Sequence, residues 1–228
     1  MRAQLDHIVV MAGDLESGVA WCERTLGVTP GPGGEHPLMG THNRLLRITA
    51  PGFADSYLEI IALKPGAVPQ RAAPLRRWFD FDDAALAERV QQQGPQLVHW
   101  VARTGDVRAA LATWQALGID RGPPLAASRM TPDGLLQWQI TVRDDGQRLF
   151  DGCLPTLIQW GAVHPAPRMA PCGLALRRLT LAHPQAAQLE RALSAVGLLQ
   201  PGRIELSTGA PGMQATFDAP HGQVTLSS

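Results

Sequence analysis

Apolar and polar positions fall into two matched stretches along the chain. Leu5-Asp6-His7-Ile8-Val9-Val10-Met11 and Leu97-Val98-His99-Trp100-Val101-Ala102 each read as a short strand carrying one histidine, and each leads into a Gly-Asp pair, Gly13-Asp14 or Gly105-Asp106. The aspartate is placed to cap a following helix through its carboxylate. Behind the caps, Leu15, Val19 and Cys22 in one copy and Val107, Leu111 and Trp114 in the other recur at helical spacing on a single face. Leu26-Gly27-Val28 and Leu117-Gly118-Ile119 close the units, with glycines suited to the left-handed turn that ends a helix. An internal repeat of this kind brings two equivalent histidines to symmetric places in one fold.

Glycine and proline punctuate 30–34, so the stretch through His36, His42 and Asn43 reads as a loop, followed by strands over 44–49 and 56–63 around a Pro51-Gly52 turn. A linker then carries a helix over 83–93, capped by Asp82 or Asp83. The second copy passes from its helix into a proline-rich turn and strands over 135–143 and 156–160. A third, shorter version begins near Cys172: a strand over 174–181, a helix with Leu189, Leu193 and Val196 inward, Gly197, and strands ending over 214–227. Aligning Gly197 with Gly27 and Gly118 puts Arg178 or a neighbour where the histidines stood, so this unit keeps the scaffold without the ligand. The expected organisation is a first module over 1–66, a linker with a helix over 67–95, a second module over 96–167 and a shortened third over 172–228.

With 228 residues there is enough chain for one large domain or two small ones. Twenty basic and twenty acidic residues leave no net field, which argues against nucleic acid or an anionic membrane as partner and toward a small-molecule ligand. Cys22, Cys153 and Cys172 lack metal-ligand spacing and read as reduced thiols, Cys22 on the inward face of a helix. Asp6, His7 and Asp14 interrupt any apolar leader, and no run is long enough to cross a bilayer, so the expected location is cytoplasmic. No nucleophile elbow, phosphate-binding loop or dinucleotide fingerprint occurs in strand-to-helix context.

The paired histidine strands, Gly40-Thr41-His42-Asn43, Tyr57-Leu58-Glu59-Ile60-Ile61-Ala62, Leu157-Ile158-Gln159-Trp160 and the closing Phe217-Asp218-Ala219-Pro220-His221-Gly222 together make the chain resemble the vicinal oxygen chelate superfamily, and its glyoxalase-like domains in particular. That resemblance covers nearly the whole chain. It implies an α+β fold of repeated βαβββ modules, of the glyoxalase, bleomycin-resistance and dioxygenase kind, two of them paired around a cleft. It also implies a divalent metal (zinc, iron, nickel or manganese) held by His7, Glu59, His99 and Gln159, with Gln159 departing from the usual second glutamate, and permits a homodimer.

Residue chemistry supports part of that set. Two imidazoles and a carboxylate suit a transition metal and leave positions open for water and substrate. Tyr57, Glu59 and Ile61 share one strand face, so Glu59 is a carboxylate between apolar neighbours, and a buried unpaired carboxylate needs relief. Each candidate has a plainer reading as well. His7 and His99 could be core histidines bonded to carbonyls, Glu59 could pair with Arg44 or Arg47, and Gln159 could be a hydrogen-bonding group. His36, His42 and Asn43 could shape a turn or contact substrate, and His164 could border the cleft. Trp100 and Trp160 should lie on the sheet face opposite His99 and Gln159, packing on helices. Two functional classes remain open. One is a metal-dependent lyase, isomerase or dioxygenase in which Glu59 can act as a base. The other is a protein of the same fold that binds or sequesters a small molecule without catalysis.

Overall fold

The computed structural model describes residues 2–132 and 134–228. Its first unit runs β1 (Gln4–Met11), α1 (Leu15–Leu26), β2 (Glu35–His36), β3 (Thr41–Arg47) and β4 (Tyr57–Leu63), and the linker carries α2 (Ala84–Gln93). The second runs β5 (Gln96–Arg103), α3 (Val107–Gln115), β6 (Pro124–Thr131), β7 (Gly134–Thr141) and β8 (Thr156–Trp160). The third runs β9 (Ala175–Ala182), α4 (Ala186–Ala195), β10 (Ile204–Ser207), β11 (Gly212–Ala219) and β12 (Gly222–Ser227). The first two units form one eight-stranded sheet of order β2-β3-β4-β1-β5-β8-β7-β6, which makes them paired βαβββ modules.

The two histidine strands meet antiparallel at the centre of that sheet. His7 stands opposite Val101 and Val9 opposite His99, so exchanging the modules exchanges the histidines. The register skips one residue on each strand, Asp6 on β1 and Val98 on β5, each immediately before its histidine. Such a bulge re-aims the side chain of the extra residue. Inside each module the last strand returns parallel to the first, β4 beside β1 and β8 beside β5.

Local sequence chemistry sets the helices. Asp14, Asp83 and Asp106 cap α1, α2 and α3 by accepting from Ser17 N (2.7 Å), Leu86 N (2.7 Å) and Ala109 N (3.0 Å). Helix α1 ends at Gly27, whose φ of 69° is the left-handed conformation that glycine adopts without a steric cost. Its Gly18 lies so close to β4 that a Cβ there would come within 2.6 Å of Ile60, so the helix can sit this low only with glycine.

Alternation along the central strands separates two cores. Ile8, Val10, Leu58, Ile60 and Trp100 face α1, α3 and the third unit, where Trp114, Leu189, Leu193 and Phe217 complete one continuous cluster. Val9, Met11, Ile61, Val101 and Ile158 face the other way, under Trp78, Phe79 and Phe81 of the linker and Leu86 and Val90 of α2. The linker therefore covers part of the sheet face that carries the histidines. It holds Phe79 and Asp80 at φ of 58° and 59°, a costly conformation outside glycine. Packing of Phe79 and the Asp80–Arg148 ion pair (2.8 Å) keep it there.

Four sequence expectations change. His36, His42 and Asn43, expected in a loop, lie in strands β2 and β3. The proline-rich turn after α3 contains an edge strand, β6, hairpinned to β7, with Pro124 at its first position where no ladder bond is lost. Trp160 lies on the cleft face, 5.7 Å from Trp138 between ring centroids, whereas Trp100 packs against the helices as expected. The third unit has the expected element order but sheet order β10-β9-β11-β12, with β9 flanked by β10 and β11, so its strands are not arranged as in the paired modules. It docks through α4 on α3, where Trp114 Nε1 donates to Ala192 O at 2.8 Å, and Ala3 N donates to Val196 O at 2.8 Å.

Because one core joins all three units, unfolding should be cooperative. Urea transitions followed by tryptophan fluorescence and by far-ultraviolet circular dichroism should coincide. Trp114→Ala should lower the unfolding free energy by about 3–5 kcal/mol while keeping a single transition. A separate, earlier transition for residues 172–228 would contradict the shared core.

Candidate functional site

The bulge at Asp6 brings two neighbouring strand residues to bear on one place. Asp6 is fully buried, and its Oδ1 takes the His7 Nδ1–H at 2.6 Å. Its Oδ2 accepts from Trp160 Nε1 at 2.9 Å and from His164 Nε2 at 2.9 Å. Burial alone would raise its pKa, but the hydrogen bonds from His164 and His7, with their charges, outweigh it and hold the carboxyl far below the usual carboxylate range. Asp6 is thus a fixed anion that orients His7, whose ring also stacks on Tyr57 at 4.5 Å. The orientation leaves His7 Nε2 pointing into the cleft, 3.5 Å from Glu59 Oε2.

Glu59 sits on β4 opposite Leu45 of β3 and directly beside Val9 of β1, and it is 5% exposed. Asn43 Nδ2 donates to its Oε1 at 2.6 Å. The orientation of that amide is set from behind, since Gly34 N donates to Asn43 Oδ1 at 2.7 Å. A Cβ on Gly33 would lie 2.0 Å from Asn43 O, so the glycines of this loop let the backbone close over Asn43. His36 completes the group, with Nε2 3.9 Å from Glu59 Oε1 and Nδ1 3.0 Å from Thr41 Oγ1. Burial, reinforced by Arg129 and His7, pushes its pKa down to about 3, so it is a neutral ring at ordinary pH.

His99 occupies the equivalent place in the second module, yet both its nitrogens are spoken for. Nδ1–H donates to Gly152 O at 3.1 Å, and the Nε2 lone pair receives Thr156 N–H at 3.1 Å with Arg121 Nη2 at 3.3 Å. Arg121, 2% exposed, also bonds Thr156 Oγ1 and donates from Nε to Pro155 O at 3.0 Å. Phe79 closes over the ring at 5.1 Å. Burial first, then the charges of Arg121 and Arg148, drives the His99 pKa well below that of a free histidine.

Register also identifies the true counterpart of Glu59. Two residues beyond each histidine, Val9 faces Glu59 on β4 and Val101 faces Thr156 on β8. The second carboxylate position is therefore Thr156, not Gln159. An offset of three residues reverses the face, and Gln159 indeed turns away from the cleft to accept from Val107 N at 2.9 Å at the start of α3. Of the other expected contacts, His36 and Asn43 line the cleft and His164 stands behind it as a partner of Asp6. His42 alternates to the opposite face of β3 from Thr41 and Asn43. Glu59 has neither Arg44 nor Arg47 among its partners.

The cleft is narrow, with an interior volume of about 30 Å³, and is walled by Tyr57, Trp78, Phe79, Trp138 and Trp160, with Arg129 reaching in from β6. Sequence reasoning passed over Asp6, Arg129 and Arg121. Asp6 owes its place to a bulge, which the pattern of a single strand does not reveal. The two arginines lie in and after a segment that read as a turn.

A family model described as a glyoxalase-like domain matches residues 5–197. The chain belongs to the glyoxalase-like domain family. Its fold is that of the vicinal oxygen chelate superfamily. A hypothetical protein from Staphylococcus aureus has a similar structure, at 14% identity and a TM-score of 0.58, over 99% of this chain and 85% of that one. Methylmalonyl-CoA epimerase from Streptomyces coelicolor, in complex with 2-nitronate-propionyl-CoA, aligns at 21% identity and a TM-score of 0.42 over 72% and 99% of the two chains. The epimerase from Mycobacterium tuberculosis aligns at 15% and 0.37 over 69% and 86%. Those two overlaps are too loose to bear on this chain, and no curated protein matches it in sequence. No helix among the described residues is long and apolar enough to cross a membrane.

The residues of this glyoxalase-like protein do not fit the inter-module metal that its superfamily implies. His99 has no free lone pair, Thr156 replaces a carboxylate, and the Arg121 guanidinium is a cation beside both. Among the described residues no three His, Cys, Asp or Glu side chains are grouped to hold a metal ion.

Neutral burial of His36 and His99 has a measurable consequence for this glyoxalase-like protein. Their folded pKa values lie below the unfolded value of about 6.5, so the unfolded chain binds protons first on acidification. Their stabilisation is complete above that value and is lost progressively as pH falls, for His36 down to about 3. Unfolding free energy should drop between pH 7 and pH 5, by on the order of 1–2 kcal/mol for His36, and His36→Gln should flatten the dependence by that share. A profile unchanged in His36→Gln would show that the ring is not buried neutral.

Proposed function

We propose that this protein is an acid–base enzyme of the isomerase or lyase type, in which Glu59 takes a proton from a carbon acid bound in the aromatic cleft and His7 returns or relays one. The supporting observation is the arrangement Asp6–His7–Glu59: a buried carboxylate free of arginine, facing an imidazole whose far nitrogen is fixed by a second carboxylate. General acid–base chemistry needs proton-carrying groups held in reach of one substrate atom and kept from bulk water. Asn43 holds Glu59 Oε1 and leaves Oε2 toward His7 and the cleft, so the two groups can exchange one proton across the bound molecule. Tyr57, its hydroxyl kept protonated by burial and by the charge and hydrogen bond of Asp6, adds its ring to the same wall.

This reading assigns the reaction to the chain's own side chains. A metal-dependent lyase, isomerase or dioxygenase would need donors that the second module has committed to the His99–Thr156–Arg121 network. The small molecule is expected to be compact and flat, since the cleft leaves little free interior space and its walls are rings.

The test is proton exchange. Small 2-oxo acids and arylacetic acids are incubated with protein in D2O, and loss of the α C–H signal is followed by proton NMR. Wild type should accelerate exchange for at least one compound, with or without EDTA, and Glu59→Gln should reduce the rate by about 10²–10⁴-fold. Exchange that vanishes with EDTA and returns with a divalent metal would overturn the reading. Binding of these compounds with no exchange would favour a sequestering protein.

A further inference from the structure

The polar atoms left unsatisfied in the cleft are all donors. Among the described residues, the buried side-chain nitrogens without a hydrogen-bond partner are His42 Nε2, Trp78 Nε1, and Nε and Nη1 of Arg129. His42 is on the far face of β3, whereas Trp78 and Arg129 belong to the cleft wall. A buried donor without an acceptor costs about 1–3 kcal/mol, and a charged one more. Arg129 comes from the edge strand β6 of the second module and is seated against Gly34 of the first, where a Cβ would lie 2.0 Å from its Nη1. Glycine at 34 is what lets the guanidinium span the mouth between the two sheet edges. Its Nε and Nη1 have no hydrogen-bond partner among the described residues.

We propose that Arg129 and Trp78 form an anion subsite, and that the molecule taken into this cleft is a flat monocarboxylate whose carboxylate is bound by the Arg129 guanidinium and the Trp78 indole N–H. The inference rests on the reading of this cleft as a substrate site and deepens it by naming the substrate class. A guanidinium presents a planar fork that matches two carboxylate oxygens, and the indole supplies a third donor. Glu59 is the group in the same cleft that would repel a second negative charge, which limits the ligand to one carboxylate and directs its uncharged end toward Glu59 and His7. His36 cannot serve as the counter-cation, since burial and Arg129 itself keep it neutral. Tyr57, Trp138 and Trp160 then hold the flat body of the ligand.

Benzoate and its neutral isostere benzamide are suitable probes, titrated calorimetrically at pH 7 into the full chain. Benzoate should bind wild type about tenfold or more tightly than benzamide, the size of a charge-assisted hydrogen bond. Arg129→Met should abolish that preference, with a circular dichroism spectrum and melting temperature equal to or above wild type, because the substitution removes two buried, unpartnered guanidinium nitrogens. Arg129→Lys should retain part of the preference, and Trp78→Phe should weaken benzoate a few-fold while leaving benzamide unchanged. Glu59→Gln should still bind benzoate. Equal binding of the two probes, no binding of benzoate at millimolar concentration, or an undiminished preference in a folded Arg129→Met would overturn the subsite. Proton exchange lost in Glu59→Gln would still support the acid–base reading in that event, so the two failures are distinguishable.

Discussion

A buried imidazole has two nitrogens, and whatever satisfies one decides what the other can do. At His7 the Asp6 carboxylate takes Nδ1–H, which leaves Nε2 directed at Glu59 and the cleft. At His99 a carbonyl takes Nδ1–H, while a backbone amide and a guanidinium fill the remaining lone pair. The strands, their bulges and their register are related by the same two-fold exchange, yet the chemistry of the two places is opposite. One module leaves its histidine a nitrogen directed at the cleft; the other bonds both nitrogens of its copy within the fold.

The same division runs through the rest of the fold. Asp6 can be a buried anion because the bulge turns it toward Trp160 and His164, which come from the end of the second module and the segment after it. The second module therefore supports the first module's site from behind. It also supplies Arg129 at the mouth. The linker contributes the remaining wall: Trp78 stands edge-on to His36 at 5.1 Å, and Phe79 seals His99. A cleft built this way draws its polar groups from both modules, His7, Asn43 and Glu59 from the first and Arg129 from the second.

Much of the scaffold was legible in the sequence because it follows from periodicity and punctuation. The histidine strands, the Asp14, Asp83 and Asp106 caps and the glycine at Gly27 lie where the pattern puts them. The pairing of His7 with Glu59 came from the resemblance to the superfamily, since β4 is buried almost throughout and its own pattern singles out no face. The second half was not legible for three physical reasons. Strand β8 is only five residues long, so nothing in its own pattern fixes register, and an odd slip exchanges Thr156 for Gln159. Strand β6 begins at a proline and has a weak apolar pattern, as edge strands do, which hid Arg129. Asp6 depends on a bulge, and bulges belong to strand pairing rather than to any one strand.

The asymmetry of the two histidines can be read directly from their ring nitrogens. Long-range proton–nitrogen correlation NMR on uniformly ¹⁵N-labelled protein, before and after one equivalent of Zn²⁺, reports tautomer, charge and coordination for each ring. His99 should be a neutral ring with its proton on Nδ1, and should keep its shifts when zinc is added, while the His7 resonances alone report the chemistry of the cleft. Nitrogen shifts of His7 and His99 moving together into the metal-coordinated range would contradict this account and restore a symmetric metal centre between the modules.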